Sequence, residues 1–130
     1  SEGVLSDPML TAMRGSMCMG FSLYRSSVFK GEEFDLTCGG AADFDYAIRA
    51  AKLGKLFYVP ERLGEYRSHP NTATGTRPRF MIDGAINVFL KHAFADRRHE
   101  EARVAMLRDR YRARMGYVCT ENRSEWLDTL

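Results

Sequence analysis

The chain has 130 residues, 45% hydrophobic and 28% charged, which is enough for one domain with an apolar core and close to an ordinary globular composition. A formal net charge of +2 is too small to imply nucleic-acid binding, so no nucleic acid is expected as a partner. No apolar run approaches the roughly 20 residues of a membrane-spanning helix, and the opening SEGVLSDPML has neither the basic nor the apolar region of a signal peptide.

Three cysteines, Cys18, Cys38 and Cys119, are an odd number at no metal-like spacing. They read as ordinary thiols in a reducing compartment, which gives a cytoplasmic expectation. The first residue is Ser rather than Met, which suggests a piece of a longer protein.

In chain order, Ser6-Asp7-Pro8 is a turn signal. Gly15 to Arg25 reads as a strand, with Met17, Met19, Phe21 and Leu23 alternating with smaller residues, and Met17 and Cys18 are assigned to the core. A short helical turn starts at Ser26 or Ser27 and ends near Gly31. Gly39-Gly40 is the flexible point of a loop.

From Asp43 the pattern is helical, with Phe44, Ala47, Ile48 and Ala51 on one face and Gly54 in the C-cap place. LFYVP and then ERLGEYRSH read as two short extended runs, followed by a polar loop. A helix is expected from Pro78 to about Ala95, with Ile82, Ala85, Ile86, Phe89 and Ala93 on its apolar stripe. After Asp96-Arg97-Arg98 a second helix is expected from about His99 to Met115, with Val104, Leu107, Tyr111 and Met115 facing inward and Gly116 ending it. Trp126 is the anchor candidate of the tail. The organisation is thus an α/β part over residues 1–77 and a helical hairpin with a tail over 78–130.

The triplet Asp43-Phe44-Asp45 is the feature that carries chemistry. At the start of a helix, i and i+2 side chains diverge, so a shared metal is disfavoured. Asp43 reads either as a catalytic carboxylate or as the helix N-cap, and Asp45 as an i+4 partner of Arg49 in a weak, exposed pair. Arg67 and His69, at i and i+2 of an extended run, share one side of it.

Four pieces in order resemble the C-terminal part of the family-2 glycosyltransferases. They are Tyr24-Arg25-Ser26-Ser27-Val28-Phe29 closing a strand, Phe34-Asp35-Leu36, the run from Ala42 through Arg49 to Gly54, and Val59-Pro60-Glu61 with Leu63, Tyr66-Arg67-Ser68-His69. The match covers about residues 13 to 75. The resemblance implies a partial GT-A, Rossmann-like α/β sandwich with few short strands, followed by the helical hairpin. It implies inverting transfer from a nucleotide-sugar donor to a saccharide or lipid-linked acceptor, with Asp43 as the catalytic base.

Under the same resemblance Asp45 and Arg67 line the acceptor site. His69 joins a divalent metal (Mg or Mn) shared with an N-terminal half, which holds the donor. Ala42 stands where the family pattern has Glu. The arginines of 97–114 offer contact with a membrane surface or an anionic lipid-linked acceptor, against a plain reading as a solvated helix face. The competing expectation is a non-catalytic α/β module whose hairpin forms a homodimer.

Overall fold

The computed structural model describes residues 3–15, 19–30, 33–67 and 69–127. In order, these form β1 (Gly3–Val4), α1 (Pro8–Met13), α2 (Ser26–Phe29), α3 (Ala42–Leu53), β2 (Phe57–Tyr58), α4 (Ala73–Thr76), α5 (Pro78–Lys91) and α6 (Arg97–Leu127). Two 3₁₀ turns, Met19–Phe21 and Leu36–Ala41, lie between them.

This overturns the expected α/β sandwich. The described residues hold six α-helices and one antiparallel sheet of β1 and β2, with Gly3 opposite Tyr58 and Val4 opposite Phe57. The strand expected over Gly15–Arg25 is a 3₁₀ turn at Met19–Phe21 followed by irregular chain. The ERLGEYRSH run forms no strand among its described residues. The reason is the absence of partners. Phe57–Tyr58 finds only the two residues of β1, while Val59, Leu63 and Tyr66 are exposed and lie in no strand, and a β-rich segment without neighbouring strands has neither a ladder nor a face to bury. Met17 and Cys18 lie outside the described residues.

The core is helical. Met9, Leu10, Ala12 and Met13 of α1 meet Cys38 and Ala41 of the 3₁₀ turn, Ala47 and Ile48 of α3, and Val88 and Phe89 of α5. Phe44 and Ala51 pack against this cluster, so the apolar face read for α3 is the one it buries. Asp7 caps α1 by accepting the Leu10 N–H at 2.9 Å, and Pro8 occupies the first turn, where its missing N–H costs nothing. Gly54 follows α3 in an extended conformation rather than the left-handed one of a glycine cap.

The packing of α5 on the 3₁₀ turn depends on Gly84. A Cβ there would stand 2.3 Å from the Cys38 carbonyl oxygen and 3.0 Å from the Ala41 nitrogen. Gly39, at φ +51°, turns the chain beneath the Phe80 ring.

Ile86 and Phe89 of the expected α5 stripe are buried, but Ala93 is exposed, because α5 ends at Lys91. α6 differs most from expectation. Asp96 accepts the His99 N–H at 2.9 Å at its start, and the helix runs through Gly116 to Leu127. Trp126 belongs to that helix, and its side chain lies outside what is described. Ala102, Met106 and Leu107 face the core, while Val104, Tyr111 and Met115 of the expected stripe point to solvent. No helix among the described residues is long and apolar enough to cross a membrane.

Candidate functional site

The start of α3 separates the two acids of the triplet. The helix begins at Ala42, with Ala41 in the cap position, so Asp43 is a first-turn residue and not the N-cap. Its Oδ1 accepts the Phe44 N–H at 2.8 Å, and the side chain is exposed. No ion pair reaches Asp43 among the described residues. The Tyr24 hydroxyl lies near enough to feel its charge: burial pushes this phenol up, and the Asp43 carboxylate adds to the effect against a hydrogen bond from Ser22. The Tyr24 ring stands edge-on to Tyr46, with centroids 5.5 Å apart.

Asp45 points the opposite way and is fully buried. Its Oδ2 accepts from Arg49 Nε at 2.9 Å, and its Oδ1 lies 3.0 Å from Lys91 Nζ and 2.8 Å from His92 Nε2. The i+4 pair with Arg49 is therefore present, but as part of a buried network rather than a weak exposed pair. Lys91 also reaches Asp35 at 2.7 Å, and Arg49 donates to the Glu33 carbonyl at 2.6 Å. These contacts tie α3, α5 and the segment before the 3₁₀ turn together.

His92 ends the chain of contacts. Lys52 Nζ, 3.1 Å away, can only donate, so Nδ1 of His92 accepts and Nε2–H donates to Asp45. That is the neutral tautomer. Burial holds its pKa below the ordinary 6.5, and the Lys52 and Lys91 charges add to this against the Asp45 hydrogen bond. Lys91 is held above its ordinary value: burial works to lower it, but the bonds to Asp35 and Asp45 outweigh that.

Arg67 and His69 fall together on an open cleft of about 620 Å³, lined also by Gly20, Phe21, Glu65, Tyr66, Asn71 and Thr72. Phe21 and Tyr66 are more than half exposed there. Asp45 is not in this cleft. The cleft and Asp43 are linked by one short segment, because Phe21 borders the cleft and Tyr24 neighbours Asp43. Three residues of chain span at most about 10 Å.

The described residues by themselves do not fit a metal. Among the described residues, one group of three side chains could ligate, Asp35, Cys38 and Asp45. Lys91 Nζ already sits within 2.7 and 3.0 Å of two of its carboxylates, as the cation of that site. His69 belongs to no such group.

The sequence reading missed Lys91 and His92, which bind Asp45, and Lys52, which binds His92. The available signal was the adjacent Lys91-His92 pair at a helix end, a position that favours cations. It also missed Phe21, Glu65 and Asn71 of the cleft. No protein-family model, no curated protein and no solved structure matches this chain.

Proposed function

We propose that the chain is the acceptor-side part of a nucleotide-sugar-dependent glycosyltransferase, with Asp43 as the general base. The observation that carries this is the exposed carboxylate of Asp43 at the first turn of α3, in no ion pair among the described residues and two residues from an acid sequestered by two cations and a neutral histidine. The order of the four sequence pieces that resemble family-2 glycosyltransferases adds support.

In the reaction, the acceptor hydroxyl gives its proton to Asp43 Oδ2, since Oδ1 is engaged by the Phe44 N–H. The acceptor oxygen forms the new bond to the anomeric carbon. The bond from that carbon to the diphosphate breaks, and the nucleoside diphosphate leaves with the electron pair. A base placed in this way contributes roughly 10²–10⁴-fold. The Phe21 and Tyr66 rings offer sugar-stacking surface, and Arg67 a fixed cation for an anionic acceptor group.

The donor and any metal are assigned to other polypeptide. The exposed apolar residues Leu23, Leu36 and Leu63 supply surface against which such a part would pack. The free thiols of Cys38 and Cys119 accord with a cytoplasmic setting, where nucleotide-sugars serve as donors.

The test is nucleoside diphosphate release by the full polypeptide that the gene encodes, supplied with nucleotide-sugars. Asp43→Asn should lower turnover by at least about 10²-fold and spare donor binding. The 130-residue chain alone should release none. Turnover by Asp43→Asn within a few-fold of the parent removes Asp43 from the role.

A further inference from the structure

The cleft that holds Arg67 and His69 has two fixed supports. One is the contact between Phe21 and Gly64. A Cβ on residue 64 would stand 2.5 Å from Phe21 Cε1, so the ring lies directly against bare backbone. This contact joins the 3₁₀ turn at Met19–Phe21 to the run that carries Tyr66 and Arg67.

The other support is the turn from His69 to Thr72. The Thr72 N–H donates to the His69 carbonyl oxygen at 3.1 Å, and Pro70 takes the second place of the turn, where its fixed φ is favoured. Thr72 Oγ1 accepts the Gly75 N–H at 3.2 Å, which leaves the hydroxyl proton to donate. Walls held in this way lose little freedom when a ligand enters.

The chemistry of the walls defines the ligand. Arg67 and Glu65 both border the cleft, and neither is in an ion pair among the described residues. Arg67 can only donate, through a planar fork that fits a carboxylate or a phosphate. Glu65 can only accept. The ligand must therefore bring both a negative group and hydrogen-bond donors.

A bare anion meets the first need and is repelled by Glu65. A neutral sugar meets the second and leaves Arg67 without a counter-charge. A sugar that bears an acidic group meets both. The exposed rings of Phe21 and Tyr66 suit the apolar C–H face of a pyranose. The volume of about 620 Å³ falls within the range of small-molecule sites. Because the cleft is open, the sugar can be the end of a longer chain.

We propose that this cleft binds an acidic saccharide, a sugar bearing a carboxylate or phosphate group, with Arg67 and His69 at the anion, Glu65 at the hydroxyls and Phe21 and Tyr66 at the ring. The role of that saccharide as acceptor rests on the glycosyltransferase reading. Its binding is measured without turnover, so failure of Asp43 as base and failure of the cleft as a saccharide site are separate results.

The experiment is a ¹H–¹⁵N NMR titration of the 130-residue chain at neutral pH. The probes are methyl glucuronide, glucose 6-phosphate, methyl glucoside, uridine monophosphate and inorganic phosphate. A ligand of about a dozen heavy atoms in an open cleft binds with a dissociation constant of about 1–10 mM, so each probe is taken to about 50 mM. At least one acidic sugar should shift the amide signals of Glu65, Tyr66 and Thr72 with an affinity in that range. Methyl glucoside should bind at least tenfold more weakly. The tighter of the two acidic sugars identifies the anion as carboxylate or phosphate.

Arg67→Gln, at an exposed position, should weaken the acidic sugar at least tenfold and leave methyl glucoside unchanged. Phe21→Ala should weaken both sugars. Arg62→Gln, exposed and outside the cleft, should bind like the parent. The proposal is overturned if neither acidic sugar shifts these signals, if methyl glucoside binds as tightly, or if Arg67→Gln binds like the parent. Tighter binding of uridine monophosphate or inorganic phosphate than of either acidic sugar overturns it in favour of a nucleotide or a plain anion site.

Discussion

His92 Nε2 lies 2.8 Å from Asp45 Oδ1, and both side chains are buried, so the C-terminal end of α5 is fastened to the first turn of α3 through the protein interior. Lys91 and Arg49 complete the set of donors around the same carboxylate. Two acids separated by one residue thus have opposite surroundings: Asp43 faces water and Asp45 faces cations.

That contrast predicts opposite costs. Asp45→Ala leaves the buried His92 N–H without its acceptor and takes the shared carboxylate from Arg49 and Lys91, which keep their contacts to the Glu33 carbonyl and Asp35, and should destabilise the fold by about 3–5 kcal/mol. Asp43→Ala removes a favourable first-turn charge and one local hydrogen bond, and should cost less than about 1 kcal/mol. Urea unfolding of the two variants against the parent measures both. Equal losses would contradict the division of the triplet.

The neutral His92 predicts a pH dependence. Its pKa is held below 6.5 in the folded state, so the unfolded chain binds the proton more readily. The stability it contributes is complete above pH 6.5 and is lost as pH falls from there through the folded-state pKa. The groups facing its ring are Asp45, Lys52 and Lys91. His92→Asn should therefore flatten the fall in the urea midpoint between about pH 7 and pH 5, relative to the parent. An unchanged slope would show that His92 is not the titrating group.

Particular residues show how much of this could be read from the sequence. The α3 face of Phe44, Ala47, Ile48 and Ala51 was legible, because a 3.6-residue period needs only local information. The i+4 pairing of Asp45 with Arg49 was legible for the same reason. The burial of Asp45 was not, since its other partners lie 46 and 47 residues away on α5. Most of the expected strand failed because alternation marks a segment able to pair, while pairing depends on neighbours: Phe57–Tyr58 finds only the two residues of β1, and the exposed Leu63 lies in no strand. Gly116 reads as a helix end by propensity, but it costs only about 1 kcal/mol inside a long helix and is carried by its neighbours. The cleft residues Arg67 and His69 came from the resemblance, and Phe21 reached them through a turn that no local pattern marks.

Asp35 offers a direct spectroscopic check of the network. The Lys91 hydrogen bond, followed by those from the Thr37 side chain and backbone, holds its pKa down at about 2. Its contribution to stability is therefore present above pH 3.8 and lost as pH falls towards 2. In Lys91→Met the Asp35 carboxyl should titrate closer to 3.8, as followed by carboxyl-carbon NMR. An Asp35 that still titrates near 2 would place the control with Thr37 instead.

The two glycines of the long helices predict opposite responses to the same change. Alanine is favoured over glycine in a helix interior by about 1 kcal/mol. At Gly116 a Cβ meets nothing within 4 Å, so Gly116→Ala should gain that stability. At Gly84 the new Cβ would stand 2.3 Å from the Cys38 carbonyl oxygen and 3.2 Å from the Ala41 Cβ. Backbone cannot rotate away as a side chain can, so α5 must lift off the 3₁₀ turn, at an overpacking cost of about 1–3 kcal/mol or more. That exceeds the propensity gain, and Gly84→Ala should be net destabilising. Because Lys91 and His92 ride on the same helix, lifting α5 also draws their nitrogens away from Asp45. Gly84→Ala should therefore weaken the pH dependence assigned to His92 as well as lower the urea midpoint, a pair of effects that a simple loss of helix packing would not produce.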